Sequence, residues 1–72
     1  MSDYKIMAIP PVLTQEQFAD LAGLSPDTVR GWIYAKTIPS VKIGRLRLVN
    51  ADLLALHIRE GKEVFSQEDY SE

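Results

Sequence analysis

A chain of 72 residues with 46% apolar content, no cysteine and one histidine has room for one small domain, without disulfide or thiolate–metal support. Its 8 basic and 10 acidic residues leave a net charge of −2, and no apolar run approaches the ~20 residues needed to span a bilayer. The opening Met1-Ser2-Asp3 lacks the basic start of a signal peptide, so the expectation is a soluble cytoplasmic protein, and the scarcity of catalytic side chains puts binding ahead of catalysis.

Residues 1–11 mix apolar and polar positions (Tyr4, Ile6, Met7, Ile9) and end in Pro10-Pro11, which lack backbone donors and favour an extended entry arm. Thr14 is the expected N-cap of a first helix, with Gln17 completing a capping box. Phe18, Leu21 and Ala22 at i, i+3, i+4 supply its apolar stripe, and Gly23 is the left-handed stop. Only Leu24 separates that stop from Ser25-Pro26, an N-cap followed by proline at the first helical position. In this second helix Val29, Trp32 and Ile33 repeat the stripe and leave Asp27, Thr28, Arg30, Gly31 and Tyr34 on other faces. Two short helices joined by a glycine-containing turn predict a helix-turn-helix.

Ile38-Pro39 is expected to stop the second helix, and Ser40 to Val49 reads as a hairpin around Gly44-Arg45. Glycine first in a two-residue loop fits a type II′ turn, which pairs Ile43 with Leu46, Lys42 with Arg47 and Val41 with Leu48. Alternation then puts the four apolar residues on one face and Lys42 with Arg47 on the other, Arg45 standing at the tip. Asn50 caps a third helix from Ala51 to about Glu60, with Leu53, Leu54 and Ile58 facing inward and His57 at its edge; Gly61 ends it. The remainder to Glu72 is polar and acidic and is expected to be a mobile tail or an interaction segment, with Val64, Phe65 and Tyr70 as its only anchors.

Charge is strongly segregated along this order. Residues 28–50 carry five basic side chains and no acidic one, whereas residues 1–27 sum to −3 and residues 60–72 to −4. Binding to a polyanion follows the local field of a patch, so the basic block outweighs the acidic total. Like charges at Lys42 and Arg47, directly opposite in the hairpin, are unfavourable by roughly 0.2–1 kcal/mol and point to a phosphate-facing wing.

The stretch VLTQEQFADLAGLSPDTVRGWIYAKTIPSVKIGRLRLVNADLLALHI, Val12 to Ile58, resembles the excisionase-type DNA-binding domain, a MerR-like winged helix-turn-helix. The resemblance rests on Leu13-Thr14, Leu24-Ser25, Thr28-Val29 with Trp32-Ile33, Ile38-Pro39, the Val41–Val49 wing and Asp52-Leu53, in that order. It implies a mainly α fold with a small β-hairpin; with the flanking segments read above, the expected organisation is arm 1–11, DNA-binding domain 12–60 and acidic tail 61–72. In small stand-alone proteins the family includes the Cox-type regulators of temperate phages, which bend and coat attachment-site DNA and often repress a lysogeny promoter. Two departures are visible: Ala35-Lys36-Thr37 stands where the family's second helix often ends in glycine, and Gly31 lies inside that helix at a cost of about 1 kcal/mol against alanine.

In a helix-turn-helix the outer face of the second helix enters the major groove. Arg30 is then placed to read guanine, Tyr34 to touch a thymine methyl or a phosphate, and Thr28 to bond a phosphate or base near the helix start. Gly31 allows close approach of DNA, Ser25 is primarily a cap, and Asp27 acts on the helix terminus electrostatically rather than by contact. Arg45 suits a narrow minor groove, with Lys42 and Arg47 on the flanking backbone. Trp32 belongs to the core stripe, and a lone histidine without cysteine predicts neither metal nor cofactor. The implied partners are double-stranded DNA with direct repeats, further copies of the chain on that DNA, and a phage integrase; no membrane is implied. A regulator with no recombination role and a protein-interaction module using its basic hairpin remain as alternatives.

Overall fold

The computed structural model describes residues 10–71; most of the expected entry arm therefore lies outside the described residues. In chain order the elements are β1 (Val12–Leu13), α1 (Gln15–Ala22), α2 (Pro26–Tyr34), β2 (Ser40–Ile43), β3 (Leu46–Asn50) and α3 (Ala51–Arg59). Three helices and a three-stranded antiparallel sheet of order β1-β3-β2 make a winged helix-turn-helix. β1 is an addition to the expected hairpin. Its extended entry from Pro11 pairs Val12 with Asn50 and Leu13 with Val49, so the wing is anchored at its base by a third strand.

The local signals act as the chemistry requires. Thr14 Oγ1 accepts from the Gln17 N–H at 3.0 Å while the Thr14 N–H donates to Gln17 Oε1 at 3.1 Å, a complete capping box. Gly23 takes φ 74° in the left-handed region, which an L side chain resists, and turns the chain from α1 into α2. Ser25 caps α2 with Pro26 at its first position, and Asn50 caps α3 by accepting from the Leu53 N–H at 3.0 Å. The hairpin register is the expected one, Ile43 with Leu46, Lys42 with Arg47 and Val41 with Leu48. Gly44 has φ 62° and Arg45 does not share the positive region, which fits a type II′ loop.

The core lies between α1, α2 and the base of the sheet. Leu13, Ala19, Val29, Ile33, Ile38 and Val49 are buried, and Phe18, Leu24 and Trp32 pack half-buried against them. Trp32 thus closes the core's edge rather than its centre.

Three expectations need correction. Leu21 and Ala22 do not form the buried stripe of α1: Ala19 is 1% exposed and Leu21 is 72% exposed. At about 100° per residue, turning the small Ala19 toward α2 rotates Leu21 roughly 200° away from that contact. Leu21 and Ala22 instead line a shallow apolar groove facing Leu54, Ala55 and Ile58 of α3. Ile58 is correspondingly exposed, and no residue of α3 is fully buried. The second helix ends earlier than Ile38-Pro39, at Tyr34, because Lys36 turns left-handed at φ 62°.

The third correction concerns the tail, which folds back on the domain over its described length. The Glu68 N–H donates to the Ala35 carbonyl and the Tyr70 N–H to the Lys36 carbonyl, both at 2.9 Å. Tyr70 stacks on His57, its hydroxyl 2.7 Å from His57 Nδ1, and Phe65 stacks on Tyr70 in turn. Lys62 Nζ lies 4.8 Å from the centre of the Phe65 ring and 3.0 Å from Asp69. Phe65 and Tyr70 are real anchors, whereas Val64 is exposed.

Candidate nucleic-acid interface

The outer face of α2 is set by the burial of its inner face. With Val29 and Ile33 turned into the core, Asp27, Arg30, Gly31 and Tyr34 at i, i+3, i+4, i+7 are all exposed, Tyr34 at 88%. Ser25 Oγ accepts from the Thr28 N–H at 3.2 Å and lies 3.0 Å from the Thr28 hydroxyl, so Ser25 and Thr28 cap the helix together. The Thr28 hydroxyl is therefore committed locally in the free protein. Arg30 is paired with Asp27 one turn earlier, both side chains largely exposed. An exposed pair of this kind is worth about 0–1 kcal/mol, little enough for Arg30 to be redirected to a stronger anion. Asp27 thus holds the guanidinium on the outer face of α2, in addition to its charge at the helix start. Beside it Gly31 has open space where a Cβ would stand.

The wing presents Lys42 and Arg47 side by side as a cross-strand pair, with Arg45 exposed at the tip. Among the described residues Lys36, Lys42, Arg45 and Arg47 make no ion pair. A like-charged pair with no carboxylate to relieve it leaves a local positive field on the wing. The apolar half of the alternation is buried only toward the base: Val41 and Leu48 are half-buried, while Ile43 and Leu46 are 57% and 62% exposed.

Helix and wing meet in one open cleft, lined by Gln15, Arg30, Tyr34, Lys36, Ser40, Arg47 and Tyr70 among others. The fold brings together three of the expected contact residues, Arg30, Tyr34 and Arg47, and leaves Lys42 and Arg45 farther out along the wing. Gln15 ties the first helix to the wing, its Nε2 donating to the Arg47 carbonyl at 2.9 Å. Arg47 Nη1 reaches Ser40 Oγ at 3.5 Å, at the limit of a hydrogen bond. Sequence reasoning missed Gln15, Lys36, Ser40 and Tyr70. Lys36 carries a signal, since it is one of the five cations of the basic block; Tyr70 carries none, because 36 residues of chain separate it from Tyr34.

Two titratable groups of the tail are perturbed. The Asp69 carboxyl is lowered from its ordinary value, first by the Ser66 N–H that it accepts and then by Lys62. Tyr70 is raised above its ordinary value by burial. Among the described residues no three His, Asp or Glu side chains come together as a metal site, and no helix is long and apolar enough to cross a membrane.

Comparison with known proteins agrees with this geometry. A family model described as a helix-turn-helix domain matches residues 12–62. A curated relative, the "10.1 kDa protein" of Pseudomonas phage Pf1, is 44% identical over 63 residues, covering 83% of this chain and 70% of its own. No solved structure gives a significant match.

Proposed function

We propose, on the premise that this chain belongs to the helix-turn-helix domain family, that it is a sequence-specific double-stranded DNA-binding protein of the excisionase type. In this reading it is a Cox-like, MerR-like architectural protein that sets recombination direction and represses a promoter. The observation that carries the reading is the shared cleft. It is lined by recognition-helix Arg30 and Tyr34 together with Lys36 and wing Arg47, and these last two cations, like Lys42 and Arg45 farther out, make no ion pair among the described residues. Such a surface satisfies the two requirements of duplex recognition. Base edges are read by side chains on a helix that fits the major groove, and register is fixed by cations on phosphates.

The 44%-identical relative belongs to a phage, which supports a role in phage DNA transactions inside a bacterial cytoplasm. One module of this size buries roughly 600–1,000 Å² on DNA, too little for tight solitary binding at physiological salt. Occupation of direct repeats by several copies, with an integrase at the attachment site, supplies the missing affinity. Among the described residues the cleft offers no catalytic pair, and the reading is of a binding protein and not an enzyme.

The test is duplex binding across a salt series together with a footprint on candidate attachment-site and promoter DNA. Protection of spaced repeats with steep salt dependence supports the reading. Binding that is absent from duplex DNA, but present on an acidic protein, refutes it.

A further inference from the structure

Lys36 holds a conformation that its side chain disfavours. At φ 62° it lies in the left-handed region, where the Cβ of an L residue crowds the following carbonyl, and where glycine would sit without strain. The turn around it is well bonded: the Lys36 N–H donates to the Ile33 carbonyl at 3.1 Å and the Thr37 N–H to that of Trp32 at 2.8 Å. Those bonds would form equally well with glycine. A lysine here therefore stands against local preference, and it lines the cleft shared by Arg30 and Arg47 without an ion-pair partner among the described residues.

The carbonyls on this turn are closed by the far end of the chain. The two residues that would otherwise leave unpaired carbonyls, Ala35 and Lys36, accept from Glu68 and Tyr70, and Tyr70 is itself pinned by His57. A helix C-terminus leaves such carbonyls without partners unless something is brought to them. Glu68 also takes a positive φ, 68°, so the segment bends sharply to make the contact.

Resting on the DNA-binding reading above, we infer that Lys36 is a phosphate-binding residue of the cleft and that the segment 66–71 is the clip that holds it in place. The clip stabilises the left-handed turn, and the turn projects the ammonium at the junction of recognition helix and wing. The acidic segment thereby assists binding to an anion by positioning a cation, its own Asp69 being occupied by Lys62 and the Ser66 N–H.

The test compares five full-length proteins on one duplex across 50–200 mM salt: intact, Lys36→Gly, Lys36→Arg, Tyr70→Ala and the Lys36→Gly/Tyr70→Ala double variant. Removing one phosphate contact lowers the slope of log affinity against log salt by about 0.9, so affinity falls ~3.5-fold less over that range. Lys36→Gly is expected to show this lower slope together with a higher melting temperature, and Lys36→Arg to restore the slope. Tyr70→Ala is expected to lower the slope when lysine is present and to leave it unchanged when glycine is. Should Tyr70→Ala lose its melting transition, Tyr70→Phe keeps the ring and removes only the hydroxyl, and the same comparison holds. A full slope in Lys36→Gly, or an equal effect of the Tyr70 change in both backgrounds, overturns the inference while leaving duplex binding intact. Failure of the intact protein to bind duplex at all would instead sink the DNA reading on which it rests.

Discussion

Gly31→Ala separates what the recognition helix needs for stability from what it needs for function. Gly31 lies inside α2, exposed, in ordinary helical conformation, with nothing within 4 Å of the position a Cβ would take. Alanine therefore meets no clash in the free protein and gains the full helix-interior preference, about 1 kcal/mol. For a domain of 60–100 residues that corresponds to a rise in melting temperature of roughly 4–8 °C. At about 100° per residue the same methyl points directly away from buried Val29 and Ile33, next to Tyr34 on the face assigned to the major groove. If DNA approaches the helix backbone there, Gly31→Ala must weaken duplex binding even though it stabilises the fold. The two readouts are a thermal melt by circular dichroism and fluorescence anisotropy on a labelled duplex. A higher melting temperature with unchanged affinity removes Gly31 from the interface. A melting temperature that fails to rise contradicts the open space itself.

Other expectations address the wing, specificity and pH. Arg45→Ala should weaken binding to all duplex sequences and lower the salt slope by about 0.9 for each phosphate that the side chain no longer holds, so an unchanged slope excludes the wing tip. Arg30→Ala should cost ~1–3 kcal/mol on the preferred site and much less on random DNA, because base-edge contacts carry discrimination. An equal effect on both would reduce Arg30 to a backbone contact. Tyr70 is neutral in its stack and its folded pKa is raised, so its contribution is present below its unfolded value and disappears as pH rises through the higher folded one. Amide exchange at Glu68 and Tyr70, compared with core amides such as Val49, should therefore accelerate selectively above about pH 10, as ionised tyrosine is expelled; uniform acceleration would dissociate the latch from Tyr70 ionisation.

Much of this fold is legible in the sequence because its signals are local. Thr14 with Gln17, Gly23, Ser25-Pro26 and Asn50 act through hydrogen bonds spanning three or four residues, and the Gly44-Arg45 loop dictates the register of its own flanks. The features that escape are those created by distance along the chain. β1 is two residues long and has no periodicity to detect; only its pairing with β3 makes it a strand. Hydrophobicity favours Leu21 for the α1 stripe, but close packing of two helices selects Ala19, a preference for size that spacing does not encode. The candidate site divides in the same way. Arg30, Tyr34 and the wing cations follow from periods of 3.6 and 2, whereas Gln15 and Tyr70 reach the cleft through contacts 32 and 13 residues away, with Arg47 and His57 respectively.

The tail illustrates how composition misleads when burial is scarce. A polar, acidic end looks like a solubilising extension or a patch for a neighbouring copy. Yet α3 has no fully buried residue of its own, and a 72-residue domain has little surplus core. The tail's few large side chains, Lys62, Phe65 and Tyr70, stack in series onto His57 of α3. Deleting residues 63–72 should consequently lower the melting temperature and also weaken binding to a single repeat, since the Ala35 and Lys36 carbonyls lose their donors. A tail that served a neighbouring copy would behave differently: its deletion would spare single-repeat affinity and abolish cooperative filling of several repeats. Anisotropy on one-repeat and multi-repeat duplexes distinguishes the two, and unchanged single-repeat binding by a truncated protein that still melts cooperatively would refute the internal role. Cooperativity that survives the deletion would place the contact between copies on another surface, in the wing or the entry arm.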